Sequence, residues 1–141
     1  MSYERIIVAV DDTEAGKRAF AAALPIAKSA HSQLFLVSVI EDLAQMAGET
    51  IGQVEDSHAQ AITHFEWTQR PMLEHAQREG VEATSHILLG RMVERFLELA
   101  RERSADLIVL GGFGRPRLMG LGASRGYDLA DRVSCAVLIA K

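Results

Sequence analysis

The 141-residue sequence predicts an α/β protein in which one parallel sheet is wrapped by helices on both faces. Short apolar runs recur along the chain, and such runs are typical of strands that are buried on both sides. Between them lie segments whose apolar residues recur at helical spacing. Because the two kinds of segment alternate from end to end, they favour a single doubly wound sheet.

Length and composition bound the class of protein. A chain of this size matches one ordinary domain, so residues 1–141 are predicted to form a single unit around one core. Hydrophobic residues make up 48% and charged residues 24%, which excludes a disordered tail or a coiled-coil rod. No apolar run approaches the ~20 residues of a membrane span, and no signal peptide is evident. With one cysteine, the sequence predicts a cytoplasmic protein without an intramolecular disulfide.

The first two elements are a strand and a helix. Ile6–Val10 is a nearly continuous apolar run and predicts the first strand. The segment Thr13–Ser29 has helical spacing, with Asp12 or Thr13 as its N-cap. Pro25 lies inside this pattern and predicts a kink or an early end.

The next segments are a strong strand, a connection and a helix. Leu34–Ile40 predicts the second strand. Residues Glu41–Val54 have no clear period and are interpreted as a long, mobile connection. A helix is predicted over about Glu55–Glu79, with Gly80 as its stop and Pro71 as a break within it.

The remaining segments complete the alternation. They are a weaker third strand (Val81–Leu89), a strongly amphipathic helix (Arg91–Arg103) and a fourth strand (Asp106–Leu110). A glycine-rich loop (Gly111–Gly122), a short helix (Ala123–Arg132) and a fifth strand (Cys135–Ala140) follow. The chain therefore supplies five strands separated by four connections that contain helices.

A binding site is expected where strands end. In a doubly wound sheet, ligands bind beyond the carboxyl ends of the strands, where the strand order reverses. The segment Gly111–Gly114 follows the fourth strand, and its glycines would let backbone N–H groups approach a phosphate. The alternative is a loop whose glycines only make turns.

Polar side chains near these strand ends add candidates. Arg115 and Arg117 are suited to phosphate oxygens, and Ser124 can cap the last helix or donate to a phosphate. Asp11 stands where a carboxylate could accept hydrogen bonds from ribose hydroxyls. Asp12 alone could supply the helix cap, which leaves Asp11 with less structural reason for its place.

Other reactive residue types favour structural roles. None of the five histidines forms the i, i+4 pair of a helical metal site, so no metal site is predicted. Cys135 opens an apolar strand and is interpreted as a buried, inert thiol. Trp67 is assigned to core packing, with a partner-binding surface as the alternative. A net charge of −4 argues against nucleic acid as a partner.

Over essentially its full length the chain resembles the universal stress proteins. The resemblance lies in the opening strand with its terminal aspartate, the second strand, the fourth strand with the glycines after it, and the closing strand, at residues 5–14, 37–40, 105–115 and 135–139. It implies a Rossmann-like sheet of strand order 3-2-1-4-5. It also implies a homodimer that pairs the C-terminal strands, and an apolar edge strand that ends at Lys141 is compatible with this.

The nucleotide-binding branch of that family cradles ATP phosphates with a loop of the form Gly-x-x-Gly-x9-Gly-Ser/Thr. By resemblance, Gly111 and Gly114 match the first two glycines. Asp11 matches the aspartate that contacts ribose, and Val39 matches the residue whose backbone meets adenine. Mg²⁺ can accompany the nucleotide, because it binds through phosphates and one or two carboxylates.

The second half of the loop departs from the pattern. Nine residues separate Gly114 from Ser124, which is followed by Arg125 where the pattern has Gly and then Ser. Counting back from the closing strand instead aligns Ala123 and Ser124 with Gly-Ser and leaves the spacer one residue short. Arg115 and Ser124 remain the expected phosphate contacts, and Ala123 is not the expected glycine.

The resemblance implies an ATP-binding, dimeric regulatory or stress-response module with an unidentified protein partner. The alternative is a nucleotide-free protein of the same fold that acts through protein–protein interaction. No general base is evident, so we expect binding rather than catalysis, with slow ATP hydrolysis at most. A phosphoryl-accepting receiver domain is disfavoured because the third strand ends in Leu88-Leu89-Gly90 without an aspartate. A flavodoxin-like site is disfavoured because Asp11-Asp12 would repel phosphate after the first strand.

Overall fold

The computed structural model of the chain describes residues 2–41, 51–112 and 125–141. Strands and helices alternate in the order β1 (Arg5–Ala9), α1 (Glu14–Ala30), β2 (Gln33–Ile40), α2 (Ile51–Arg78), β3 (Glu82–Leu89), α3 (Met92–Glu102), β4 (Leu107–Gly111) and β5 (Ala136–Ala140). Residues 125–132 form a further helix, α4, between β4 and β5.

The five strands form one parallel sheet in the order β3-β2-β1-β4-β5, as the resemblance implies. Strand β1 is central: Ile6 pairs with Leu34 of β2 on one side and with Leu107 of β4 on the other. Strand β2 continues beyond the level at which Ala9 pairs with Val37, so its last residues project past β1. Strand β5 lies at one edge of the sheet.

Two apolar layers sandwich the sheet. Helices α1 and α2 cover one face, where Ile6 and Val8 pack with Phe20 of α1. Helices α3 and α4 cover the other, where Ile7 packs in the same cluster as Phe96. The side chains of Ile6, Ile7 and Val8 are completely buried, because successive residues of a strand point to opposite faces and both faces are covered.

Helix α1 runs unbroken through Pro25 to Ala30, so the early end expected at this proline does not occur. Proline removes one intrahelical hydrogen bond and frees the carbonyl four residues earlier. Both Pro25 and Ala21 are exposed, so water can satisfy that carbonyl. The helix ends at His31, which adopts a left-handed conformation (φ 55°) and donates its N–H to the Ala27 carbonyl.

Helix α2 is longer than its sequence pattern predicts. It begins at Ile51 rather than near Glu55 and continues through Pro71 to Arg78, so this proline also fails to end a helix. Residues 51–54, expected in a mobile connection, belong to the helix, and residues 42–50 lie outside the described part of the chain. The side chain of Trp67 is 71% exposed, so its assignment to core packing is wrong.

Candidate functional site

The carboxyl ends of β1 and β4 lie side by side at the point where the strand order reverses. Val8 of β1 pairs with Val109 of β4, so the residues that follow each strand emerge at the same edge of the sheet. We call this region the carboxyl edge: residues 10–13 after β1, Ser38–Glu41 at the end of β2, and Gly111–Gly112 after β4. In doubly wound sheets this is the place where ligands bind.

Asp11 organises the start of helix α1. Its Oδ1 atom accepts hydrogen bonds from the backbone N–H of Thr13 (2.9 Å) and from the Thr13 hydroxyl. Thr13 is the N-cap, and its Oγ1 accepts from the N–H of Gly16 at 3.2 Å. Asp11 therefore has a structural role that its sequence position did not reveal. Its Oδ2 accepts no hydrogen bond from the residues that the structure describes.

Two glycines allow α1 to lie close to the carboxyl edge. A Cβ on Gly16 would lie 2.5 Å from the backbone nitrogen of Asp11. A Cβ on Gly111 would overlap the main chain of Ala15 in the first turn of α1. Real side-chain atoms do not approach backbone so closely. Gly111, a candidate for phosphate binding, is thus also required for packing.

Arg18 of α1 reaches the glycines after β4. Its Nη2 atom donates to the carbonyl of Gly112 at 3.1 Å. Its Nε is buried and has no acceptor among the described residues. A half-buried guanidinium therefore lies beside the start of the glycine-rich segment. The sequence gives no signal for this role, because an arginine beside apolar residues on a helix has the pattern of an ordinary solvent-facing residue.

Val39 lies in the part of β2 that extends past β1. It pairs with Leu88 of β3, and its side chain packs on the α3 side of the sheet. The backbone of β2 at this level is thus beyond the last β1–β2 pair, Ala9 with Val37. This is the position at which the resemblance expects contact with an adenine ring.

A buried polar network joins α2 to the carboxyl edge. Ser38 Oγ donates to the carbonyl of Val10 at 2.7 Å and accepts from Gln69 Nε2 at 2.9 Å. Gln69 is completely buried, and its Oε1 accepts from the hydroxyl of Ser85 in β3. Because each of these polar groups has a partner, the network fixes α2 against β2, β3 and the residue that follows β1 without leaving an unpaired buried group.

A second contact with α2 lies at the surface. Asp12 Oδ2 is 3.1 Å from Nε2 of His64. Asp12 therefore contacts α2 instead of capping α1, a role that Thr13 performs. Both side chains are more than half exposed, so this contact contributes little to stability.

The end of β2 is linked to the start of α4 by an ion pair between Glu41 and Arg125. The Glu41 side chain is 29% exposed and that of Arg125 is 35% exposed. Strand β1 lies between β2 and β4 in the sheet, so the pair joins elements on either side of the point where the strand order reverses.

The structure brings Asp11, Val39 and Gly111 to one edge of the sheet. The other three candidates, Gly114, Arg115 and Ser124, lie outside the described residues. Over the described ranges, no three histidine, cysteine or acidic side chains are grouped to hold a metal ion, and no helix is both long and apolar enough to cross a bilayer.

The five-stranded sheet and its carboxyl edge define a Rossmann-like α/β protein. The sequence model of the universal stress protein family matches residues 2–141, and the chain belongs to that family. It is 29% identical over 153 aligned positions to the universal stress protein Sll1388 of Synechocystis, an alignment that covers 99% of this chain and 98% of the relative.

Solved structures agree with this fold. The hypothetical protein MJ0577 superposes with a TM-score of 0.83 at 15% identity, covering 100% of this chain and 97% of the other. A universal stress protein from Archaeoglobus fulgidus in complex with dAMP superposes with a TM-score of 0.69 at 21% identity, covering all of both chains. These likenesses establish the Rossmann-like architecture.

Proposed function

We propose that this universal stress protein binds an adenine nucleotide at the carboxyl edge and acts as a dimeric regulatory module in the cytoplasm. The observation that carries the proposal is the meeting of Asp11, the backbone of Val39 and Gly111 at the point where the strand order reverses. The Archaeoglobus relative in complex with dAMP supports an adenine nucleotide as the ligand class.

Each residue has a role that its chemistry allows. Asp11 Oδ2, which accepts no hydrogen bond from the described residues, would accept from the ribose hydroxyls. The main chain at Val39 would meet adenine. Gly111 and the three candidates outside the described residues, Gly114, Arg115 and Ser124, would hold the phosphates of ATP.

The described side chains at this edge fit such a ligand. Arg18 places a guanidinium beside Gly112, and its buried Nε has no acceptor among the described residues. A phosphate oxygen could supply that acceptor. Asp11 and Asp12 follow β1 at the same edge, and their carboxylates would assist an Mg²⁺ ion held mainly by the phosphates. We propose binding rather than catalysis, with slow hydrolysis at most.

Calorimetric titration of ATP with Mg²⁺ into nucleotide-stripped protein tests the proposal. We expect saturable binding near one site per chain. Asp11→Asn should weaken binding because the ribose hydroxyls lose a charged acceptor. Glu82→Gln removes the same charge at the amino-terminal end of β3, away from the carboxyl edge. This variant is the control and should bind like the wild type. No heat up to millimolar ATP at two temperatures would contradict the proposal.

The proposed dimer pairs the β5 strands of two copies. Strand β5 lies at the sheet edge and pairs with β4 on its other side, which leaves a row of backbone groups available to a second chain. Sedimentation equilibrium should show a dimer. Ala136→Lys places a charge at an exposed position of this strand and should shift the equilibrium toward monomer without unfolding the chain. An unchanged dimer would place the interface elsewhere.

One observation favours the second candidate function, a nucleotide-free protein that acts through an unidentified protein partner. Trp67 on α2 is 71% exposed, and exposed tryptophan is typical of binding surfaces. If ATP does not bind, the partner search should begin at this helix. Loss of partner capture by Trp67→Ala, with capture retained by Ile62→Ala on the same helix, would locate the contact.

A further inference from the structure

The Glu41–Arg125 ion pair joins the end of β2 to the start of α4 at the carboxyl edge, where the proposed ligand would bind. Glu41 follows the last residue of β2, two positions beyond Val39. Arg125 is the first described residue after Gly112 and begins α4. Strand β1, whose end carries Asp11, lies between the two elements. A nucleotide that extends from β2 towards the segment after β4 would therefore bind beside this pair.

Of the two arginines described at the carboxyl edge, Arg18 and Arg125, the second is the more readily exchanged. Arg18 is held by the carbonyl of Gly112, a neutral acceptor that belongs to the scaffold. Arg125 is instead held by the carboxylate of Glu41. Guanidinium binds carboxylate and phosphate through the same two-pronged geometry, so one can replace the other. Both side chains remain about one-third exposed, so exchange requires no opening of the core.

We propose that the phosphates of the bound nucleotide take Arg125 from Glu41. Glu41 is then a competitor that sets the affinity for phosphorylated ligands, and Arg125 is a specificity-determining residue. This inference rests on the proposed nucleotide binding and adds to it a means of discriminating nucleotide from nucleoside.

The exchange has a definite thermodynamic consequence. Phosphate binding at Arg125 must first break an existing ion pair. The apparent affinity is therefore the intrinsic affinity multiplied by the fraction of molecules in which the Glu41–Arg125 pair is open. Glu41 also repels phosphate through its own charge. Neither effect acts on adenosine, which has no phosphate. Removing the Glu41 charge should therefore strengthen ATP binding and leave adenosine binding unchanged.

Calorimetry with ATP and with adenosine, in the presence of Mg²⁺, tests this. Glu41→Gln should tighten ATP binding by about fivefold, and Arg125→Met should weaken it by about tenfold. Both variants should bind adenosine like the wild type. Glu82→Gln and Arg101→Met remove the same charges at the opposite end of the sheet and should change neither ligand. Thermal melting of each variant verifies that it is folded.

Two results would overturn the inference while nucleotide binding stands. One is ATP binding that is unchanged or weaker in folded Glu41→Gln. The other is an equal loss of ATP and adenosine affinity in Arg125→Met, which would mean that the pair only supports the structure.

Failure of the proposed function gives a different pattern. If neither ATP nor adenosine binds, tripolyphosphate is titrated as a probe for the phosphate chain alone. The Nε–H resonance of Arg125 is followed by ¹⁵N NMR in the wild type and in Glu41→Gln. If ATP and adenosine both fail to bind but tripolyphosphate shifts this resonance, and at lower concentration in Glu41→Gln, the exchange stands and the nucleotide does not. If tripolyphosphate has no effect on the resonance either, both proposals are overturned.

Discussion

Gly111 and Ala15 are in contact main chain to main chain: a Cβ on Gly111 would overlap the Ala15 carbonyl group. Gly111 ends β4, and Ala15 lies in the first turn of α1. The helix can lie across the end of this strand because Gly111 has no side chain. The start of α1, which Asp11 and Thr13 also organise, is thereby fixed against both central strands.

Gly111→Ala should therefore destabilise the protein even without ligand. The new methyl group meets backbone rather than the end of a flexible side chain, so relief requires α1 to move. We expect a loss of about 2–3 kcal/mol in the free energy of unfolding, measured by urea denaturation. Gly80→Ala is the control: it meets nothing within 4 Å and only strains a φ of +74°, for a loss of about 1 kcal/mol. Wild-type stability of Gly111→Ala would contradict the packing role.

The Ser38–Gln69 network should behave as a coupled unit. Ser38→Ala leaves the Val10 carbonyl and Gln69 Nε2 without their partner, at an expected cost of about 1–3 kcal/mol. Gln69→Leu should cost a similar amount because it deprives the hydroxyls of Ser38 and Ser85 of partners. In a double-mutant cycle the combined loss should be smaller than the sum. Strict additivity in urea denaturation would show that the two side chains act independently.

His86 should make stability fall as the solution becomes mildly acidic. Burial lowers the pKa of His86 from its ordinary 6.5, and the positive charge of Arg103 lowers it further. Below about pH 6.5 the unfolded chain therefore binds a proton at His86 that the native protein does not bind. The contribution of neutral His86 to the free energy of unfolding is present above that pH and is lost as the pH falls through the lowered pKa. His86→Gln should reduce this slope of unfolding free energy against pH. A titration of His86 by NMR with a midpoint at or above 6.5 would contradict the prediction.

Cys135 should react slowly with thiol reagents in the native protein. Burial raises the pKa of this thiol, and the charge of Asp106 raises it further, so little thiolate is present near neutral pH. We expect an aromatic disulfide to label the native chain much more slowly than the same chain in urea. Asp106→Asn should accelerate labelling modestly. If the native chain were labelled as fast as the unfolded chain, the thiol would be accessible and its reactivity would not be suppressed.

Much of the fold was predictable from local pattern. The strand Leu34–Ile40 was recognisable because both of its faces are buried and its whole length is apolar. Pro25 was expected to kink or end its helix and Pro71 to break the other, but both helices continue through them, since each proline lies on an exposed face where water can satisfy a freed carbonyl. The core position predicted for Trp67 is wrong because this residue lies about 200° around the helix from the buried Gln69, and therefore on the outer face of α2.

The candidate site was predictable only in outline. The carboxyl ends of strands are placed together by topology, so Asp11, Val39 and Gly111 could be expected at one edge. The pairings of Arg18 with Gly112 and of Glu41 with Arg125 could not, because each joins residues more than eighty positions apart. Asp12 was assigned as a possible cap because the sequence alone does not show which of two neighbouring residues points at the helix.

Strand β1 must wait for half of its pairing during synthesis. Ile6 pairs with Leu34, which is made soon afterwards, but its other partner, Leu107, follows 101 positions later. As the nascent chain leaves the ribosome, β1 and β2 can join early while one edge of this apolar strand stays open until α2, β3 and α3 have emerged. An open apolar edge invites association with other chains, so a central strand that is buried on both faces in the mature protein is exposed to wrong pairing while the protein is being made.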